Sequence, residues 1–199
     1  MARFTARRPE IRKERDIKHT DLSKPVLVYD EDSLLELIGR TQNPLVLILD
    51  EIQDPHNLGA CMRSADGAGV TAVIVPKHNA APLSEAARRV ACGGAESVPF
   101  IRATNISQLI HKLKEAGLWV VGTSDATETS IYDADLTGPT VLVMGAEGEG
   151  CRRLTMENCD FLVKIPMQGV VPCLNVSVAT GVCLYEAVRQ RLNKAKSQG

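Results

Sequence analysis

The apolar positions of the chain fall into two alternating periods. Val26-Leu27-Val28-Tyr29 is a short apolar run, and Leu45-Val46-Leu47-Ile48-Leu49 is an unbroken one that ends in Asp50. Such a run suits a strand buried on both faces of a parallel sheet. Thr71 to Val75 is a third strand, stopped by Pro76, and Leu118-Trp119-Val120-Val121 a fourth. Thr140 to Met144, running into Gly145, and Phe161 to Ile165, stopped by Pro166, complete the strand signals. Between them the period lengthens. Leu34, Leu35, Leu37 and Ile38 form a helical stripe introduced by Asp30 and Ser33 and ended by Gly39. Asn57 to Gly69, Ser84 to Ala91 and the stripe Ile106, Leu109, Ile110, Leu113 read as helices, and a last helix runs from about Asn175 to Arg191. Strand and helix alternating over short connections predict an α/β fold: a mostly parallel sheet with helices on both faces.

The first ~24 residues have little apolar content and no period. Residues 1–44 are therefore read as a basic N-terminal arm and linker, and residues 45–199 as the main domain. Arg3, Arg7, Arg8, Arg12, Lys13, Arg15 and Lys18 outnumber Glu10, Glu14 and Asp16 there, and Arg189, Arg191, Lys194 and Lys196 make the tail basic too. The net charge of −1 nevertheless gives no global field for nucleic acid. No apolar run approaches the ~18 residues of a membrane span, and no apolar segment follows the basic start as it would in a secretory signal. With no signal of that kind, the six cysteines read as reduced thiols of a cytoplasmic protein, most simply as small core residues. They show no C-x-x-C pair and no histidine at zinc spacing, so no metal site is expected.

In parallel sheets, ligands bind beyond the carboxyl ends of the strands. Three strand-end segments carry candidate chemistry. In Asp54-Pro55-His56-Asn57-Leu58-Gly59-Ala60-Cys61-Met62-Arg63, Asn57 stands where a helix cap is expected and Gly59 permits close backbone approach. Arg63 is an unplaced charge in an otherwise small and apolar stretch, either a salt-bridge partner or a phosphate fork. In Gly145-Ala146-Glu147-Gly148-Glu149-Gly150 three glycines follow a buried strand without forming G-x-G-x-x-G or a P-loop. That absence disfavours a dinucleotide binder of the dehydrogenase type. The two carboxylates would repel phosphate and suit a neutral or cationic ligand. In Ile165-Pro166-Met167 to Leu174-Asn175-Val176-Ser177 an apolar loop joins strand to helix, able to hold an adenine through its backbone. From the residues alone, the reading stops at an α/β protein with a nucleotide-like pocket.

Taken together, Asn57-x-Gly59-x3-Arg63, Gly145-Ala-Glu147-Gly-x-Gly150 and Ile165-Pro166-Met167-x6-Leu174-Asn175-Val176-Ser177-x-Ala179 resemble the three motifs of the SpoU (TrmH-type) RNA ribose methyltransferases. The resemblance covers about residues 45 to 191. Asp54 to Ala65, Val90 to Pro99, Met144 to Leu154 and Leu174 to Gln190 look like the branch acting on large-subunit rRNA rather than tRNA. The resemblance implies an α/β knot with a deep trefoil, S-adenosylmethionine as methyl donor, and a homodimer whose site combines both chains. It implies 2′-O-methylation of a guanosine in the 23S rRNA P loop. A tRNA ribose methyltransferase, or a catalytically weak RNA-binding assembly factor on the same fold, is the alternative. By motif match, Arg63, Asn57, Glu147 and Asn175 are the catalytic candidates. Thr123, Gly145, Ile165, Met167 and Leu174 would line the donor pocket. Two departures stand out. Cys173, preceded by Pro172, replaces the usual Ser before Leu174. Residues 1–44 are also too few for the separate N-terminal RNA-binding domain usual in that branch.

Overall fold

A computed structural model describes residues 21–145 and 151–197. Its strands are β1 (Val28–Tyr29), β2 (Leu45–Leu49), β3 (Ala72–Pro76), β4 (Phe100–Ala103), β5 (Trp119–Thr123), β6 (Thr140–Met144) and β7 (Phe161–Val163). They form one seven-stranded sheet in the order β1-β4-β3-β2-β6-β5-β7. Each pairing in it is parallel. The helices are α1 (Glu31–Arg40), α2 (Pro55–Gly67), α3 (Glu85–Ala91), α4 (Gly94–Ser97), α5 (Ile106–Glu115), α6 (Arg153–Glu157) and α7 (Val176–Ser197).

The continuous apolar runs are explained by burial on both faces. Every residue of β2, β3 and β6 is buried. Because side chains alternate along a strand, Leu45, Leu47 and Leu49 join one core with α2, α3, α4 and α7. Val46 and Ile48 join the other with α1 and α5. The expected architecture, a parallel sheet covered by helices on both faces, is the one observed. No described helix is long and apolar enough to cross a membrane.

Differences from expectation have local causes. β4 carries no strand signal beyond Phe100-Ile101, because it is four residues long and its Arg102 points to solvent. α4 and α6, with four and five residues, are too short for a period to be visible. The stretch expected to be arm and linker up to residue 44 is in part sheet. β1 pairs with β4, and Leu34 and Ile38 of α1 are core residues. The basic residues of the arm up to position 20 lie outside the described residues. At the other end, α7 continues past Arg191 to Ser197. The half-buried Arg191 guanidinium donates to the carbonyls of Asn43, Pro44, Leu136 and Gly138. It thereby ties α7 to the segments that enter β2 and β6.

Not all cysteines are core residues. Cys61, Cys151 and Cys183 are buried and Cys159 half-buried, but Cys92 and Cys173 are exposed. Burial pushes the Cys61 thiol up to about 11, and those of Cys151, Cys159 and Cys183 up to about 12.

Candidate active site

At the carboxyl ends of β5, β6 and β7 the chain encloses a cavity of about 340 Å³. Thr123, Gly145, Ile165, Met167 and Leu174 all line it. These five residues come from three strand ends and the loop before α7, separated by up to fifty-one positions in sequence. The parallel sheet brings them together because consecutive strand ends emerge side by side on one edge. Met144, Met156 and Val163 supply further apolar wall, and Cys173 and Pro172 stand at the exposed margin. The volume lies at the lower end of the range for small-molecule sites.

Hydrogen bonds show what the wall can offer. The Thr123 hydroxyl donates to the Val143 carbonyl at 3.1 Å, so it ties β5 to β6. Lys164 is the one cation among the described residues of the wall, and its ammonium is held by Glu128 at 2.8 Å. Asp125 is an exposed carboxylate of the same wall. The described wall is thus mostly apolar, and the one cation in it is already engaged.

Asn57 and Asn175 meet directly. The Asn175 amide donates to the Asn57 side-chain oxygen at 3.1 Å. The Asn175 side-chain oxygen accepts from the backbone N–H of Ser177 at 3.0 Å and from its hydroxyl at 2.6 Å. Asn175 thus caps α7. Asn57 was expected to cap α2, but Asp54 does so, accepting from the His56 N–H at 2.9 Å with Pro55 in the first turn. Asn57 sits one turn further in and is free to reach Asn175. Gly59 serves helix packing. A Cβ there would lie 2.3 Å from the Ala87 carbonyl oxygen and 2.8 Å from the Val90 Cβ, so α2 and α3 approach too closely for any side chain.

Arg63 is elsewhere. It lies six residues beyond Asn57 on α2, about 120° round the helix from it. Its side chain is exposed, makes no part of the cavity wall, and donates from Nη1 to the Cys92 sulfur at 3.4 Å. Glu147 lies outside the described residues.

One feature of the site was missed by sequence reasoning. Asp50, at the end of β2, is fully buried. Its carboxylate accepts from the Arg152 backbone N–H at 3.1 Å and from Nε at 3.0 Å, with Nη2 at 2.7 Å. Its own backbone N–H donates to Met144 at 2.8 Å. Asp50 therefore grips the last residue of β6 and the residue just past the glycine-rich segment. The carboxylate in turn raises the Arg152 pKa above its ordinary value, chiefly through that hydrogen bond. A charge directly after five buried apolar residues was the available signal. No group of acidic, histidine or cysteine side chains among the described residues is arranged to hold a metal.

Comparison with known proteins adds an independent line. Residues 44–185 match the model of the SpoU rRNA Methylase family. The chain is 60% identical over 168 residues to the 23S rRNA (guanosine-2'-O-)-methyltransferase RlmB of Pseudomonas putida, covering 84% of this chain and 68% of that protein. It is 57% identical to the Escherichia coli enzyme of the same name, covering 84% and 69% respectively. Among solved structures, it is similar to the SpoU methyltransferase AviRb of Streptomyces viridochromogenes in complex with the cofactor AdoMet. That match has a TM-score of 0.72 at 33% identity, covering 79% of this chain and 62% of that one. The A. aeolicus TrmH/SpoU tRNA modifying enzyme matches with a TM-score of 0.71 at 33% identity, over 83% of this chain and 84% of the other.

Proposed function

The chain belongs to the SpoU rRNA methylase family, and from that premise we propose that it methylates the ribose 2′-hydroxyl of a guanosine in 23S rRNA, in the P loop, with S-adenosylmethionine as donor. The observation that carries the reading is the single cavity in which Thr123, Gly145, Ile165, Met167 and Leu174 converge. Its mostly apolar wall suits an adenosine, and the one cation among its described residues is paired with Glu128, which lessens its repulsion of a sulfonium. The donor, when bound, supplies an electrophilic methyl group on that sulfonium.

The rest is done by the chain. Leu174, Ile165 and Met167 exclude water and bury the donor's apolar surface. Asn175 and Asn57 lock the start of α7 onto α2 and so fix the loop that carries Leu174. Glu147 would orient the hydroxyl or the loop. The 2′-hydroxyl is a poor nucleophile at neutral pH and needs positioning and help in losing its proton. Arg63 cannot be the base, because a guanidinium stays protonated in proteins. Its role in this reading is to hold phosphate and stabilise the developing alkoxide. The proton passes to a substrate phosphate oxygen or to water.

Arg63 is absent from its own chain's cavity wall, which supports a homodimer in which it serves the partner's pocket. Val178, Tyr185 and Leu192 recur every seven residues along α7 and are more than half exposed, an apolar stripe suited to a second copy. The same reading carries with it the family's trefoil knot and a cytoplasmic location, beside the ribosomal RNA. The test is transfer from tritiated S-adenosylmethionine to an unmodified 23S rRNA fragment containing the P loop, with unmodified tRNA alongside. Label in a guanosine ribose of the rRNA is expected. Label confined to tRNA would overturn the substrate, and donor binding without transfer to either would overturn the activity.

A further inference from the structure

The contact that Arg63 does make is unusual among the described arginines. Arg40, Arg88, Arg89, Arg152, Arg153 and Arg189 each pair with a carboxylate. Arg102 and Arg191 donate to backbone carbonyls. Arg63 rests on a sulfur instead: its Nη1 donates to Cys92 Sγ at 3.4 Å. The thiol in turn points to the Arg89 carbonyl in the last turn of α3, at 3.5 Å.

The backbone around this thiol is tightly determined. Cys92 closes α3 in the left-handed region with φ of 49°, and Gly93 follows with φ of 99°. Gly94 then begins α4 against Arg63 itself: a Cβ at Gly94 would stand 2.7 Å from the Met62 carbonyl oxygen and 3.2 Å from the Arg63 Cα. The turn 92–94 is thus seated on the α2 backbone at Arg63, and the thiol position follows from that seat.

The electrostatics give the arrangement a purpose. A guanidinium that is to hold phosphate or a developing alkoxide must be aimed, yet must keep its charge. A carboxylate would aim it and neutralise it at once. A neutral thiol takes one of five N–H donors and leaves the charge and the remaining donors to the substrate. We propose that Cys92 is a positioning residue for Arg63, a neutral rest that orients the guanidinium without quenching it. The proposal depends on the preceding reading of Arg63.

The test compares Cys92→Ser, Cys92→Ala and Cys92→Asp in the full-length protein, by kcat and KM for the rRNA fragment and by calorimetric donor affinity. Serine keeps a neutral acceptor and should hold kcat within about twofold. Alanine removes the acceptor and should lower kcat about five- to tenfold, the ordinary worth of one such hydrogen bond. Aspartate tolerates the left-handed backbone well, yet should lower kcat further than alanine, because it ion-pairs the guanidinium. Donor affinity should stay unchanged throughout. A purely structural role would not rank aspartate below alanine. In an Arg63→Lys background, which lacks the guanidinium fork, the alanine effect should vanish, while aspartate, able to pair an ammonium as well, should still lower kcat. As a readout free of turnover, the assigned Arg63 side-chain ¹⁵N signals should shift in Cys92→Ala and return towards wild type in Cys92→Ser. Aspartate as active as wild type, alanine without effect, or an equal alanine loss in the Arg63→Lys background would overturn the proposal. If Arg63→Ala keeps full turnover, the reading of Arg63 falls with it. If Arg63→Ala is inactive while the Cys92 series is flat, only the role of Cys92 falls.

Discussion

Replacing Arg152 with methionine would leave the Asp50 carboxylate fully buried with one donor, the backbone N–H of residue 152 at 3.1 Å. Two side-chain contacts, at 3.0 and 2.7 Å, would be lost. Removing one partner of a buried ion pair costs about 3–5 kcal/mol. Arg152 is 41% exposed, so water can reach part of the vacated space. The expected cost is thus nearer ~2–3 kcal/mol. For a chain of this length that lowers Tm by roughly 4–12 °C. Asp50→Asn keeps an oxygen for the backbone N–H and removes the charge, and should cost only ~1–2 kcal/mol. The double variant should be no worse than Arg152→Met alone, giving a coupling of roughly 1–2 kcal/mol. Urea unfolding of the four proteins at neutral pH measures the cycle. Because the pair closes the segment that begins at Gly145, donor affinity by calorimetry should fall about tenfold in Arg152→Met. Additive single effects, or an Arg152→Met protein as stable as wild type, would refute the idea that this pair anchors the site.

Three further outcomes are expected. Gly59→Ala should destabilise by ~1–3 kcal/mol, since α2 and α3 must part to admit the Cβ. Gly39→Ala, in the open on α1, should stabilise by ~0.5–1 kcal/mol, so thermal melts that move the same way for both would contradict the packing argument. Asn175→Ala should cost more than Asn57→Ala, because it loses the α7 cap as well as the shared hydrogen bond, and urea midpoints in the reverse order would dismiss the cap. The four raised thiols make stability fall at alkaline pH. Below their ordinary value of 9.0 both folded and unfolded chains keep the protons; above it the unfolded chain releases protons that the folded chain retains up to about 11 or 12. Cys183→Ala should therefore flatten the decline between pH 9 and 11 by about one proton, and an unchanged slope would show that burial does not hold this thiol protonated.

The sheet was legible because its strands are buried on both faces, which leaves uninterrupted apolar runs such as Leu45 to Leu49 that local pattern can find. β4 was not, because four residues with an outward Arg102 give no period. The convergence of Thr123, Gly145, Ile165, Met167 and Leu174 on one cavity was legible only through the three motifs. Nothing in the spacing of Thr123, Gly145, Ile165 and Leu174 says that they share a cavity; the strand order does. The helix cap illustrates the opposite error. Asn57 has the chemistry of a cap, but Asp54 followed by Pro55 has both the chemistry and the fixed φ that starts a helix, so Asn57 was left for a long-range partner, Asn175, 118 residues away. Cys92 could not be told from a core thiol by sequence, because its exposure depends on a left-handed turn set by α4 packing on α2.

The separation between Arg63 and the cavity decides how the proposed chemistry is assembled. Within one chain, the five residues proposed to hold the donor share one wall, while Arg63, proposed to hold the RNA, points towards the α3–α4 corner. On that proposal a monomer would bind donor and fail at transfer. The proposed dimer would resolve this by bringing the same α2 face to the pocket of the other copy. Mixing Arg63→Ala protein with Leu174→Trp protein tests it. Each alone should be inactive, the first lacking its cation and the second its pocket. Random reassortment makes half the dimers mixed, each with one pocket and one Arg63 intact. If Arg63 acts across the interface, those two intact parts meet at one site and the mixture regains activity, the intact pocket of the Arg63→Ala chain being completed by the Arg63 of its partner. If Arg63 serves its own chain, the two intact parts belong to different sites and the mixture stays inactive. The reciprocal control is the double variant Arg63→Ala/Leu174→Trp mixed with wild type. Acting across the interface, the wild-type pocket in a mixed dimer would face an alanine and transfer nothing; acting within its own chain, Arg63 would leave the wild-type half active. Recovery in the single-variant mixture together with loss in the double-variant mixture is therefore the expected pattern, and the reverse would return Arg63 to its own chain.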